Sequence, residues 1–242
     1  MERFSRTEKL LGTEKLNQLQ HSSAVIFGAG AVGSFAAEAL IRSGLGNLTI
    51  VDFDKISFSN INRQLYALES TIGKDKVEVA IQRLSDINPN CRLTSVKRFA
   101  DTDSIPEILQ TPPDIVLDAI DTVDPKLELL TYCAGNNIPV VSSMGAARKM
   151  NPLSVRVDDL FKSAHCPLAR LMRKYLRRRG IKSGITCVYS TEPPLPPRPG
   201  EDSDELSGTN HSTKILGSLP TVTGVFGLVL ADTAIKIITG DY

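Results

Sequence analysis

Short apolar runs alternate with longer mixed segments over the first 145 residues of the chain. The runs are rich in Val, Ile and Leu, which is typical of buried strands, and the mixed segments have a composition that favours helices. We predict strands over 24–27, 48–52, 91–96, 115–118 and 139–143, and helices over 34–42, 74–87 and 125–136. This alternation predicts an α/β fold with a doubly wound, mainly parallel, Rossmann-like sheet that carries helices on both faces.

The alternation becomes less regular after residue 145. We predict a mixed α/β extension with strands over 153–157 and 185–189 and helices over 168–179 and 222–238. The segment 191–210 is rich in Pro and acidic residues, a composition that predicts a mobile surface loop. We expect a single domain over 1–242, made of the halves 1–145 and 146–242.

Three glycines follow the first strand in the order GxGxxG, at Gly28, Gly30 and Gly33. This spacing allows a tight turn and the close approach of a phosphate, and the helix that follows offers free N–H groups at its N-terminus. Asp52 ends the second strand, 19 residues after Gly33, where a carboxylate can accept hydrogen bonds from a ribose. The pattern predicts a nucleotide site, and on its own it suits NAD or FAD as well as ATP.

Further polar residues favour a triphosphate over a dinucleotide. They are Asp54, Asn60, Arg63, Gln64, Lys76 and Asp121. Transfer chemistry on a triphosphate needs cations and a divalent metal to offset charge, and Arg63 and Lys76 supply cations. Asp121 follows the fourth strand, at the sheet edge where ligands bind in such folds, and is placed to hold Mg²⁺. Each of these residues alone is more often a solvated surface group, so their joint placement carries the prediction.

The composition is that of an ordinary globular protein, with 41% hydrophobic and 23% charged residues, and it excludes collagen, coiled coils and disordered chains. The formal net charge of +1 hides an asymmetry, because residues 170–182 hold seven cations and no acid, which leaves −6 elsewhere. Apolar residues in that region recur at helical spacing, at positions 168, 171, 172, 175 and 176. We predict a helix docked by one face, whose cationic face binds phosphates in preference to serving as a plain solvated or membrane-surface face.

Targeting and metal-binding signals do not appear in the sequence. The N-terminus lacks a secretory signal, and the longest apolar stretch, 215–231, is short of a membrane span. Four cysteines form no CxxC pair and three histidines are scattered, so we expect a cytoplasmic, reduced protein without zinc. Cys166 and Cys187 are expected to be buried structural thiols, in preference to a reactive pair of Cys166 with His165.

Several of these segments resemble a known family. The first set comprises Arg3-Phe-Ser-Arg6, the glycine turn, 48–54, Ser59-Asn-Ile-Asn-Arg-Gln64, Gly73-Lys-Asp-Lys-Val77, Asp86-Ile-Asn-Pro89 and Asp118-Ala-Ile-Asp121. These are similar to the adenylation domain of the ubiquitin-activating (E1-like, ThiF-type) superfamily, which uses ATP to adenylate a carboxylate. Within it, segments 140–149, 166–170 and 187–192 resemble the branch of tRNA threonylcarbamoyladenosine dehydratases. The resemblance spans roughly residues 3 to 238.

The resemblance implies a role for each matching residue. It implies catalytic roles for Arg6, Arg63, Lys76 and Asp121, with Asp121 as the Mg²⁺ ligand. It implies an ATP site formed by Gly28, Gly30, Gly33, Asp52, Asp54, Asn60, Arg63, Gln64, Lys76 and Asp121, in which Asp52 binds the ribose. Arg6 matches an arginine that in relatives reaches into the neighbouring subunit's site, so a homodimer is expected. The resemblance also implies that residues 1–145 form a nucleotide-binding half and residues 146–242 a substrate-binding and dimerisation half.

The resemblance also implies an activity: ATP-dependent dehydration of N6-threonylcarbamoyladenosine at position 37 of tRNA through carboxylate adenylation. The cationic helix then becomes the expected tRNA contact, through Arg170, Arg173, Lys174, Arg177 and Arg178. The resemblance allows a monovalent cation and a cysteine desulfurase or sulfur-acceptor partner, which the sequence does not decide.

Three alternative functions stay open to different degrees. The main one is activation of the C-terminus of a sulfur-carrier or ubiquitin-like protein, but this chain has no CxxC zinc pairs and no cysteine in the segment 191–210. A nucleotide-sensing scaffold would bind ATP without turnover. An NAD dehydrogenase is disfavoured, because no hydride-transfer residues accompany the glycine turn.

Overall fold

The computed structural model describes residues 2–196 and 216–242. Its helices are α1 (Ser5–Leu11), α2 (Thr13–His21), α3 (Gly33–Ser43), α4 (Lys76–Ile87), α5 (Ser104–Ile108), α6 (Val123–Gly135), α7 (Pro167–Arg178) and α8 (Pro220–Thr239). Its strands are β1 (Ser23–Phe27), β2 (Asn47–Val51), β3 (Arg92–Val96), β4 (Ile115–Asp118), β5 (Val140–Ser143), β6 (Val155–Asp159) and β7 (Thr186–Ser190). Short 3₁₀ turns cover Glu2–Phe4, Phe58–Asn60, Glu69–Thr71, Pro152–Ser154 and Leu160–Lys162.

All seven strands belong to one sheet in the order β3-β2-β1-β4-β5-β7-β6. Every neighbouring pair is parallel except β6 and β7, which are antiparallel. The chain order of the strands reverses between β1 and β4, and ligands bind at such a switch point in doubly wound sheets. The predicted α/β class and mainly parallel sheet are confirmed.

The register aligns the carboxyl ends of the central strands. Phe27 at the end of β1 pairs with Val51 of β2 on one side and with Asp118 of β4 on the other. Asp118 in turn pairs with Ser142 of β5. The loops after β1, β2, β4 and β5 therefore leave the sheet at one edge, which we call the carboxyl edge.

Two apolar layers enclose the sheet, and alternate residues of β1 point into different layers, as the period of a strand requires. Ala24 and Ile26 face a layer formed with α2, α3, α4 and α8. Val25 and Phe27 face a layer formed with α5, α6 and α7.

Helix α8 closes the first layer by packing against α3. Gly227 makes this crossing close, because a Cβ atom there would lie 2.4 Å from the carbonyl oxygen of Val32 and 2.7 Å from Cβ of Phe35. Among the described residues, α8 is the one helix long and apolar enough to cross a membrane, and 56% of its most apolar window is buried within the protein. Its apolar composition thus matches its position in the core.

The sequence pattern predicts every strand to within two residues and most helices to within two. Helix α4 begins at Lys76, two residues later than predicted, and α6 begins at Val123, two residues earlier. The helices α1, α2 and α5 are missing from the prediction. Of the predicted loop 191–210, residues 191–196 form no helix or strand, and residues 197–210 lie outside the described residues.

The α3–α8 crossing yields a stability prediction. Gly227→Ala forces a methyl group against the α3 backbone and should lower the free energy of unfolding by about 1–3 kcal/mol. Gly135→Ala in α6 is the matched control, because a Cβ there meets no atom within 4 Å, and it should stabilise by about 0.5–1 kcal/mol. Urea unfolding of both variants measures the difference, and equal effects of the two substitutions would contradict the packing argument.

Candidate nucleotide site

The glycine turn joins β1 to α3 at the carboxyl edge and lies against the loop after β4. Gly28 has φ +97°, and a Cβ atom on it would lie 2.8 Å from the carbonyl oxygen of Ala119. A Cβ on Gly33 would lie 1.8 Å from the carbonyl oxygen of Gly28. Gly30 differs, since its nearest neighbour would be Nε2 of Gln64 at 3.7 Å. Two glycines are therefore required by the fold, whereas Gly30 leaves the face of the turn open to a ligand.

Asp52 lies beside this turn, directly after β2. Its Oδ2 accepts the backbone N–H of Ala29 at 2.7 Å, and its Oδ1 accepts the N–H of Asp54 at 2.8 Å. The carboxyl group is buried, and this burial raises its pKa above the ordinary value for aspartate, although Lys76 nearby works in the opposite direction. The side chain is fixed next to the turn, as a ribose-binding carboxylate needs to be.

The segment 57–66 packs against the start of α3. The backbone N–H of Leu65 donates to Ser34 Oγ at 3.3 Å. Asn60 is buried and accepts the N–H of Ser57 through its Oδ1 at 3.1 Å. Arg63 is held by its own loop, because one guanidinium nitrogen donates to the carbonyl oxygen of Ser59 and to Oδ1 of Asn62, both at 2.8 Å. The loop thus holds Arg63 with its remaining donors available.

Lys76 is the first residue of α4, and its side chain lies in the same region. Its side chain is 7% exposed, and its Nζ donates to Oδ2 of Asp54 at 2.7 Å. Its backbone N–H also donates to the carbonyl oxygen of Asp54, at 3.1 Å. The ammonium is therefore held close to Asp52 and beside a half-exposed carboxylate that a bound anion can displace.

Asp121 follows β4 on the loop that touches the glycine turn, and its side chain is exposed. The described residues contain no group of three His, Cys, Asp or Glu side chains arranged to hold a metal. Asp121 is therefore an exposed carboxylate that the loop after β4 offers at this edge.

Arg6 is not brought to this site within the chain. It lies in α1 and is exposed. Its neighbour Arg3 donates to Oδ1 of Asn88 at 3.1 Å, and Phe4 lies against Gly44. Asn88 and Gly44 precede β3 and β2, so this region is at the sheet edge opposite the carboxyl edge.

The cationic helix α7 begins at the carboxyl edge. Cys166, which caps its N-terminus, accepts the N–H of Gly145 from the loop after β5 through Sγ at 3.3 Å. The predicted apolar stripe is buried or partly buried. Arg173 is turned inward, since it donates to the backbone oxygen of Ser163 at 2.9 Å and to its Oγ at 2.6 Å.

The other cations of this helix remain on the surface. Lys174 and Arg178 lie over the ring of Tyr175, and Arg177 lies over Phe161. Arg170 is also exposed, whereas Arg179, just after the helix, forms an ion pair with Glu128 of α6. The outward cationic surface of α7 therefore consists of Arg170, Lys174, Arg177 and Arg178.

The cysteines are structural in this fold. All four are free and buried, including Cys166 and Cys187. Burial raises the pKa of the Cys187 thiol to about 12, which disfavours the thiolate.

Sequence reasoning missed one group at the carboxyl edge, the buried Lys126 of α6, which contacts Asp118 at the end of β4. A single lysine in an amphipathic helix is normally exposed, so no local pattern identifies it.

Comparisons with known proteins show the family to which the chain belongs. The model of the ThiF family matches residues 4–242. The tRNA threonylcarbamoyladenosine dehydratase of Bacillus subtilis is 41% identical over 81% of this chain and 77% of its own. The enzyme of that name from Escherichia coli is 36% identical over 97% of this chain and 92% of its own.

A solved structure of the Escherichia coli tRNA N6-threonylcarbamoyladenosine dehydratase, described as a complex with ATP, superposes with a TM-score of 0.89. The two share 34% sequence identity, and the match covers 99% of this chain and 94% of the other. The match of the family model to nearly the whole sequence, together with relatives that share its length and fold, shows that this chain belongs to the ThiF family.

Proposed function

We propose that this protein is an ATP-dependent tRNA threonylcarbamoyladenosine dehydratase that cyclises N6-threonylcarbamoyladenosine at position 37 of tRNA. The observation that carries the proposal is the combination, at one sheet edge, of the glycine turn and the Lys76–Asp54 ion pair with the start of a cationic helix. Relatives of the same length and fold carry this enzyme name.

The chemistry explains why the reaction requires ATP. The modified nucleoside carries a carboxylate, whose oxygen is a poor leaving group. Attack of this oxygen on the α-phosphorus of ATP expels pyrophosphate and gives an acyl-adenylate. The carbamoyl group on the same side chain then attacks the acyl carbon and AMP leaves, so the nucleoside loses one water overall. Because the attack is intramolecular, its effective concentration is high and no enzyme nucleophile is needed.

The protein binds ATP, aligns its phosphates with the carboxylate and neutralises their charge. The N–H groups at the start of α3 and the open face at Gly30 receive phosphates. The carboxylate of Asp52 accepts hydrogen bonds from the ribose hydroxyls. Lys76 and Arg63 offset the charge on the phosphates, and Lys76 exchanges its contact with Asp54 for a phosphate oxygen.

Mg²⁺ fits this donor set. The ion is commonly held in proteins by one or two carboxylates together with substrate phosphates and water, and Asp121 is an exposed carboxylate on the loop against the phosphate turn. When bound, the ion would neutralise charge on the leaving pyrophosphate.

Two partners complete the proposal. The outward cations of α7 bind the tRNA backbone, starting next to the carboxyl edge. A second copy of the chain supplies Arg6, as the family resemblance implies, and the exposed position of Arg6 in α1, away from the site of its own subunit, is consistent with this role. The homodimer is therefore part of the proposed active unit.

The first prediction tests substrate and ATP site together. Incubation with ATP, Mg²⁺ and tRNA that carries the modification should remove 18 Da from the nucleoside, as measured by mass spectrometry. Arg63→Ala and Lys76→Ala should each lower the rate by about 100-fold or more, since each removes a positioned charge. Pyrophosphate exchange that depends on a carrier protein ending in Gly-Gly, without loss of water from tRNA, would favour the alternative adenylyltransferase.

The second prediction concerns pH. Because the folded pKa of Asp52 is raised by burial, its neutral form appears at a higher pH than for an exposed aspartate, and ATP affinity should fall as the pH drops through this pKa. Asp52→Asn should weaken ATP binding by about tenfold at pH 7.5. Titration calorimetry from pH 7.5 to 4.5 on both proteins separates this effect from ionisation of ATP itself, and parallel pH curves would refute the assignment.

The third prediction concerns α7. Replacing Lys174, Arg177 and Arg178 with Gln should weaken tRNA binding and make the slope of log K against log salt shallower by roughly 2–3. ATP affinity should be unchanged. The control replaces three cations outside α7, namely Lys15, Arg42 and Lys236. Filter binding at several salt concentrations distinguishes the two triple variants. Equal slopes would show that the cations of α7 are solvated and do not contact tRNA.

A further inference from the structure

A fully buried ion pair lies beneath the loop that carries Asp121, and the proposed reaction does not use it directly. Lys126 of α6 donates to Oδ2 of Asp118 at 2.6 Å, and both side chains are 0% exposed. The ammonium also donates to the backbone oxygen of Ser143 at 3.0 Å and to Oγ of Ser142 at 3.3 Å. Its three N–H donors thus have three acceptors, from β4 and β5.

Stability alone is a weak reason for such a pair. Removing two charges from water costs several kcal/mol, and well-packed apolar side chains in place of a buried pair are often neutral or stabilising. The pair does, however, impose geometry, because it joins α6, β4 and β5 at a single point.

The second oxygen of Asp118 connects this point to the proposed site. Oδ1 of Asp118 accepts the N–H of Ile120 at 3.1 Å, which folds the chain back just before Asp121. The intervening Ala119 donates its N–H to the carbonyl oxygen of Phe27 at 2.8 Å, and its own carbonyl oxygen lies against Gly28. Rotation of the Asp118 carboxylate would therefore move both the Asp121 loop and its contact with the glycine turn.

We propose that Lys126 is a positioning residue: it fixes the Asp118 carboxylate, and through it holds Asp121 where the metal and the phosphates of ATP meet. Lys126 has no exposed surface, so it acts through Asp118 and not on the substrate. The inference rests on the proposed function, because it assumes the role given above to Asp121.

Lys126→Met tests this inference, since it keeps the length of the side chain and removes its charge and donors. Groups that orient metal ligands typically contribute 10–100-fold to metal affinity or activity, so we expect the variant to bind Mn²⁺ at least about tenfold more weakly in the presence of ATP. Electron paramagnetic resonance of Mn²⁺ with protein and ATP measures this without turnover. In the tRNA assay, kcat should fall by a similar factor while KM for tRNA stays within about twofold.

The matched control is Lys149→Met. Lys149 is also a buried lysine near the carboxyl edge, at 2% exposure, but its ammonium donates to the backbone oxygen of Glu192 and does not contact Asp118. We expect a lower melting temperature with unchanged Mn²⁺ affinity. Ser142→Ala removes only one acceptor of Lys126 and a donor to Asp118, so it should shift Mn²⁺ affinity in the same direction as Lys126→Met, by less.

The role of Lys126 and the proposed function can fail independently in these experiments. A folded Lys126→Met protein with Mn²⁺ affinity and kcat within twofold of the wild type overturns the inference, as does an equal loss in Lys149→Met. If Lys126→Met does not fold, Ser142→Ala decides by the same criterion. If Asp121→Asn leaves Mn²⁺ affinity unchanged, the role of Asp121 in the proposed function fails instead.

Discussion

The site depends on the close approach of two loops at the carboxyl edge of the sheet. The turn after β1 and the loop after β4 meet where Gly28 leaves no room for a Cβ atom against Ala119, and where Gly33 leaves none against Gly28. Parallel pairing of β1 with both β2 and β4 sets this distance, because it ends the three strands level with one another. The backbone N–H groups of α3, the Asp52 carboxylate and the Asp121 loop consequently converge on one small volume.

Two separate groups of cations lie near this volume. Lys76 is held by Asp54 from the loop after β2, and Arg63 is held by contacts within its own loop, which suits a small, highly charged ligand. The cations of α7 are spread along a surface helix and are backed by the aromatic rings of Tyr175 and Phe161, which suits an extended polyanion. The contact between Gly145 and Cys166 fixes the start of α7 to the loop after β5, at the same carboxyl edge as the glycine turn.

The sequence predicts the strands and the glycine turn well because both have local causes. Buried parallel strands are continuous apolar runs, and glycines at fixed spacing mark a turn with no space for side chains. Helices α1, α2 and α5 are missing from the prediction because they are only seven, nine and five residues long and bury at most two residues each, which leaves little apolar pattern to recognise.

Residues that depend on tertiary contacts are the least predictable from sequence. Arg173 lies among surface cations in the sequence, yet its side chain turns inward to Ser163. Lys126 is a charged residue of a type that is normally exposed on a helix, yet it is fully buried. No local signal distinguishes them from their neighbours, because the acceptors that hold them lie outside their own helices, in elements that only the folded chain brings alongside.

The packing of α8 on α3 has a consequence for the order in which the protein can be assembled. Helix α3, which follows the glycine turn, is covered by α8 from much later in the sequence, with Gly227 packed against Val32 and Phe35. A chain emerging from the ribosome therefore has its glycine turn early but lacks one wall of its core until α8 arrives. A chain that lacks α8 would therefore have the glycine motif without the packing that supports α3.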